Sequence, residues 1–129
     1  INRQPFMLAQ ALVMVARSGD AKHLPEVEKL LEDASVITRM QENNGNQGKP
    51  VMYEIQVLDV ALATAALLSK QELKAYFENA PQPDQTTDWQ QVFFNARVIG
   101  SSSDEQRTKT FAKWAAFKAK QGTPEAASP

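Results

Sequence analysis

Ten of the twelve residues from Val57 to Leu68, VLDVALATAALL, are apolar, and only Asp59 and Thr64 interrupt them. A helix this apolar on nearly every side is expected to be buried on more than one face. At 100° per residue, Ile55, Leu58, Leu62 and Ala65 share one bulky face, Val60, Ala63 and Leu67 lie on another, and Gln56 and Asp59 fall between them. Two faces imply two sets of neighbours. Crossing a bilayer takes about 20 apolar residues, so this segment is too short to span, and its neighbours are expected to be other helices.

The chain has 129 residues, which fits one domain; the expected organisation is a single helical domain over residues 1–120 and a disordered tail over 121–129. With 14 basic and 15 acidic residues the formal net charge is -1, which disfavours a global attraction to nucleic acid or to an anionic membrane. The absence of cysteine removes disulfides, thiol catalysis and Cys-based zinc sites, and is compatible with either redox compartment. The chain starts at Ile1 with a short polar lead-in to Pro5, which reads as a piece excised from a longer protein.

Phe6–Arg17 reads as a helix that is apolar over much of its circumference, stopped by Ser18-Gly19-Asp20. Pro25 suits the first turn of a second helix in which Val27, Leu30, Leu31 and Ala34 form the inner stripe and Glu26, Glu28, Lys29 and Glu32 the outer one. These two are expected to form an antiparallel hairpin. Val36–Met40 and Val51–Ile55 either pair as a short β-hairpin over the polar Glu42–Pro50 loop or remain irregular, so strand content is expected to be nil or one short pair. After the central helix, Glu72–Phe77 is expected to be a short helix with Leu73, Tyr76 and Phe77 inward, and Asn79–Thr87 a loop. Trp89, Val92, Phe93 and Phe94 belong to an irregular or short helical segment on the core. Ser102-x-x-Glu105 fits a capping box, so a last helix should run from about Ser103 to Lys120 and cap the stack.

An internal similarity links the two halves. Leu8, Ala11, Leu12 and Ala16 match Leu58, Ala61, Leu62 and Ala66 at an offset of 50, and Pro25–Asp33 lies over Gln71–Asn79 at an offset of 46. Periods of this size built from helix pairs mark HEAT and armadillo arrays. The run Glu54–Leu68 resembles the second helix of a HEAT repeat, departing from that pattern at Leu58, where arginine is usual. Asp59–Ala63, Lys70-Gln71 and Tyr76-Phe77 resemble bacterial HEAT-like domains with a D-V-A-L-A helix. The resemblance implies an all-α fold, a right-handed α-α superhelix fragment of about two helix hairpins plus a C-terminal capping helix. It also implies use as an attachment or interaction module, and brings no catalytic residue with it.

Candidate chemistry is sparse. His23 is the one histidine and is expected in an exposed loop; without cysteine partners it does not make a structural zinc site. Glu26, Glu28, Glu32 and Asp33 cluster in sequence, but interleaved Lys29 points to a solvated face rather than a carboxylate pair. Asp59 has a structural reading, in which backbone amides or a neighbouring helix start satisfy it, and a functional one as an acid of shifted pKa; no basic partner is evident in the sequence. Trp89 and Trp114 serve either as stacking platforms for a sugar or base or as core aromatics. Lys109, Lys113 and Lys120 fall on one stripe of the last helix. No catalytic, cofactor-binding or metal-ligating set is expected. The leading expectation is a non-catalytic protein-interaction or scaffold domain, partnered by another protein or the remainder of its own chain. The alternative is an accessory part of an enzyme whose catalytic residues lie elsewhere, and nucleic-acid binding through the three lysines is weaker still.

Overall fold

The computed structural model describes residues 3–42 and 50–121. Helix α1 (Arg3–Ser18) leads through a 3-10 turn (Ala21–His23) into α2 (Leu24–Glu28) and a second 3-10 turn (Lys29–Glu32). Strands β1 (Val36–Glu42) and β2 (Val51–Gln56) follow, then α3 (Val57–Leu68), a 3-10 turn (Leu73–Ala75), α4 (Trp89–Phe93) and α5 (Asp104–Gln121). The expected tail from residue 122 onward and most of the Glu42–Pro50 loop lie outside the described residues.

Helix α3 is the centre of the fold. Ten of its residues are buried, Leu58 and Leu67 being the partly exposed ones, so the apolar run does find neighbours on most sides. Its main neighbour is α1, which turns Ala9, Leu12, Val13 and Ala16 toward it at i, i+3, i+4 and i+7. Alanines let the two backbones approach: buried Thr64 donates its hydroxyl to Val60 O at 2.9 Å and also lies 3.4 Å from Leu12 O across the helix interface. Glycine ends α1, with Gly19 at φ +66 and its N–H donated to Ala16 O at 3.2 Å.

The expected all-α superhelix of two helix hairpins is not what forms: the described residues hold five helices and a two-stranded antiparallel sheet. The second helix of each anticipated pair is the part that fails. Pro25–Asp33 makes only a five-residue α-helix and a 3-10 turn, because residues 33–35 are needed in extended form to satisfy the start of α3. Val57 N donates to Ser35 O and Leu58 N to Asp33 O, both at 2.9 Å, which closes two of the donors that a helix start leaves free. Ala34, expected in the inner stripe, is therefore exposed and outside any helix. Gln71–Asn79 makes a single 3-10 turn; it buries Leu73, Tyr76 and Phe77 within one turn, and Pro81 and Pro83 oppose any extension.

The hairpin alternative is the one realised. Thr38 pairs with Ile55 and Glu42 with Val51, with an irregularity between Val36 and Thr38. Ile55, placed on a face of the central helix by periodicity, belongs to β2 instead. On its far side β2 gains one bridge, Glu54 N donating to Ser101 O at 3.0 Å and Ser101 N to Glu54 O at 2.9 Å. Gly100 permits that approach: a Cβ there would stand 2.5 Å from Ala96 O and 2.8 Å from Glu54 O.

Helix α5 begins one residue later than the anticipated box. Ser103 Oγ accepts from Gln106 N at 3.1 Å, and the Gln106 side chain in turn accepts from Ser102 N at 2.9 Å. Trp114 is buried, tilted against Tyr76 at 6.5 Å between ring centroids, whereas its neighbour Ala115 is exposed. Helix α5 thus covers the side of α3 occupied by Tyr76 and leaves the outer side of α1 open.

Candidate interaction surface

Among the described residues the one buried charged group is Asp59, 1% exposed, at the third position of α3. It accepts from Gln56 N at 2.8 Å, which is half of a capping box, and from Arg107 of α5 through Nε at 3.0 Å and Nη2 at 2.9 Å. Nη2 of Arg107 also donates to Glu54 O at 3.1 Å, the carbonyl that receives Ser101 N. Burial pushes the Asp59 carboxyl above its ordinary range, against the opposing pull of Arg107 and the Gln56 amide. Glu54 has the opposite shift: hydrogen bonding from the Gln56 side chain, with Arg39 next to it, lowers its carboxyl. Both carboxylate oxygens of Asp59 are hydrogen-bonded, and the cluster ties β2, α3 and α5 together. Asp59 takes the backbone hydrogen bond that its structural reading expects, and adds a basic partner that the residue pattern did not suggest. Arg107 stands one turn before Phe111 on the stripe that continues to Trp114 and Lys118, and extending that stripe backward places it on the inward face without naming its partner.

The other singled-out residues do not converge. His23 is half-buried in a 3-10 turn rather than exposed in a loop. Glu28 pairs with Lys118 at 3.1 Å and Glu26 with Lys29 at 3.4 Å, while Asp33 accepts from Ser35 N at 2.9 Å, so the carboxylates disperse. Among the described residues no three His, Asp or Glu side chains are grouped to hold a metal ion. Lys109 reaches Glu105 at 3.6 Å and Lys113 donates to Ala75 O at 3.2 Å, which leaves the lysine stripe partly neutralised and partly folded back. Trp89 meets Phe93 edge to face at 6.0 Å, a core arrangement, and Lys118 lies 5.7 Å from the Trp114 ring centroid. A groove of about 520 Å³ runs between β1 and α4, lined by Phe6, Ile37, Thr38, Gln91 and Phe94; its one carboxylate, Asp88, is occupied with Gln91 N at the start of α4.

The largest departure from an ordinary surface lies on α1. Opposite its buried stripe, Met7 is 60%, Met14 70% and Leu8 39% exposed, with Ala11 exposed between them and Val15 half-buried beside them. Gln4 and Ser18 close the stripe at its two ends, and no charged residue interrupts it. Isolated exposed apolar residues are common; a contiguous stripe along about two and a half helical turns is not, and marks a surface built to be covered. Sequence reasoning recognised α1 as apolar over much of its circumference but had no means to tell which side remained open.

No helix among the described residues is long and apolar enough to cross a membrane. Comparison with family models, with curated proteins and with solved structures finds no match to this chain.

Proposed function

We propose that the chain is a non-catalytic protein-interaction domain that docks through the outer stripe of α1. The observation that carries this reading is that α1 is apolar on two opposite sides and only one of them is used by the fold: Leu12 and Val13 are buried while Met7 and Met14 stand in water. Fully burying a side chain of this kind is worth about 1.5–3 kcal/mol, so docking on the stripe would recover several kcal/mol that folding leaves unused. Methionine is suited to such a surface because its unbranched, polarizable side chain adapts to the partner's shape.

The test places a photo-reactive amino acid at Met14 in intact cells and, as a control, at exposed Glu32. A discrete cross-linked adduct from position 14, absent from position 32, supports the reading; no adduct from position 14 overturns it. Met7→Glu with Met14→Glu should leave the unfolding midpoint unchanged at high dilution, where no partner contributes to stability, and a large fall there would place the stripe in the core.

A further inference from the structure

Resting on that reading of the α1 stripe, we infer that its occupant is a second copy of this chain, packed antiparallel across a two-fold axis that passes through Ala11. The residue types of the stripe mirror one another about that residue, with Met7 and Met14 its most exposed members and Val15 partly covered by the core. Met7 and Val15 lie four positions before and after it, Leu8 and Met14 three positions before and after it, and polar Gln4 and Ser18 seven positions before and after it. At about 100° per residue all six lie within about 60° of the Ala11 direction, which is the direction opposite the buried face. A two-fold pairing requires one patch to be complementary to itself under reversal. Here reversal places large side chains against large side chains, polar ends against polar ends, and the one small residue against itself at the crossing point.

The small residue is what lets the helices meet. Packed helices lie about 8–10 Å apart, and with Cα atoms about 2.3 Å from each axis the two Ala11 Cα atoms would approach to about 3.4–5.4 Å. Charge agrees with this arrangement. The stripe carries none, and Arg17 lies six positions from the axis residue, so the two copies' Arg17 groups are roughly 18 Å apart along the helices, beyond the screening length of about 10 Å in ordinary salt. Antiparallel helices also oppose their dipoles.

The chain contains no cysteine, so single introduced thiols report the geometry directly. Ala11→Cys should give a covalent dimer under mild oxidation, since its Cα spacing overlaps the roughly 4.4–6.8 Å that disulfides take. Met7→Cys should not, because its two copies stand roughly 12 Å apart along the helices. Sedimentation of the unmodified 129-residue chain should show a monomer–dimer equilibrium, and Met14→Glu should weaken it by about 100-fold or more by placing an unpaired charge in the contact. The photo-adduct at position 14 should have twice the mass of the chain. A monomer at all concentrations, or equal cross-linking from Ala11→Cys, Met7→Cys and a Glu32→Cys control, overturns the second copy. In that event an adduct with a different protein leaves the docking reading standing, and no adduct at all removes both.

Discussion

Replacing Arg107 with methionine keeps the length of the stem and deletes the guanidinium that faces Asp59. Two of the three hydrogen bonds to the carboxylate vanish, those from Nε at 3.0 Å and Nη2 at 2.9 Å, and only Gln56 N at 2.8 Å remains. Glu54 O keeps its bond from Ser101 N, so the loss concentrates on Asp59, which is 1% exposed and has no route to water. Breaking a buried ion pair by removing one partner costs about 3–5 kcal/mol. At neutral pH the variant should therefore melt on the order of 10–20 °C lower, as judged from the scaling of melting temperature with domain size. The pH dependence has a definite sign. Burial raises the folded-state carboxyl of Asp59 above its unfolded value, so its linked stability is greatest below the unfolded pKa and is lost as pH rises through the folded one. Removing Arg107 removes an opposing influence and moves the folded value further up. The deficit of the variant should consequently shrink as the solution is acidified and Asp59 takes up a proton. Glu54, whose carboxyl is lowered, contributes with the opposite sign, present above its unfolded pKa and lost as pH falls through its folded one, and largely cancels between the two proteins. Urea unfolding of both proteins between neutral pH and about pH 4 measures the difference; a cost under about 1 kcal/mol, or one independent of pH, would refute the assignment of Asp59 as a paired buried acid.

Leu62 is fully buried in α3, and Leu62→Ala should cost about 2–5 kcal/mol in equilibrium unfolding, whereas Lys29→Ala, at an exposed site with one surface ion pair, should change stability by less than about 0.5 kcal/mol. Similar effects at the two sites would mean that α3 is not the core helix. Lys70 ends α3 at φ 63, with Lys70 N donating to Leu67 O and Gln71 N to Ala66 O, an arrangement that glycine occupies without strain; Lys70→Gly should raise stability by about 1 kcal/mol, and a loss would show that the lysine side chain contributes there.

What the chain encodes locally is visible in its residues. Ten apolar side chains in Val57–Leu68 require burial whatever surrounds them, and Gly19 ends α1 because it alone adopts a positive φ freely. Leu73, Tyr76 and Phe77 turn inward and the last helix begins beside Ser102-Ser103, as spacing and capping chemistry predict. The tertiary structure decided the rest. Periodicity cannot say that Pro25–Asp33 stops short, because the cause is that Ser35 O and Asp33 O are required by donors more than twenty residues later. It cannot pair Asp59 with Arg107 across 48 positions, since the match is made only when α5 lies over the start of α3. Nor can it separate the two apolar sides of α1: Leu12 and Met14 are equally hydrophobic signals in sequence, and only the position of α3 makes one of them core and leaves the other facing outward. Local patterns set the period of an element and where it ends, whereas which face is covered and which charges meet depend on contacts between segments that are distant along the chain.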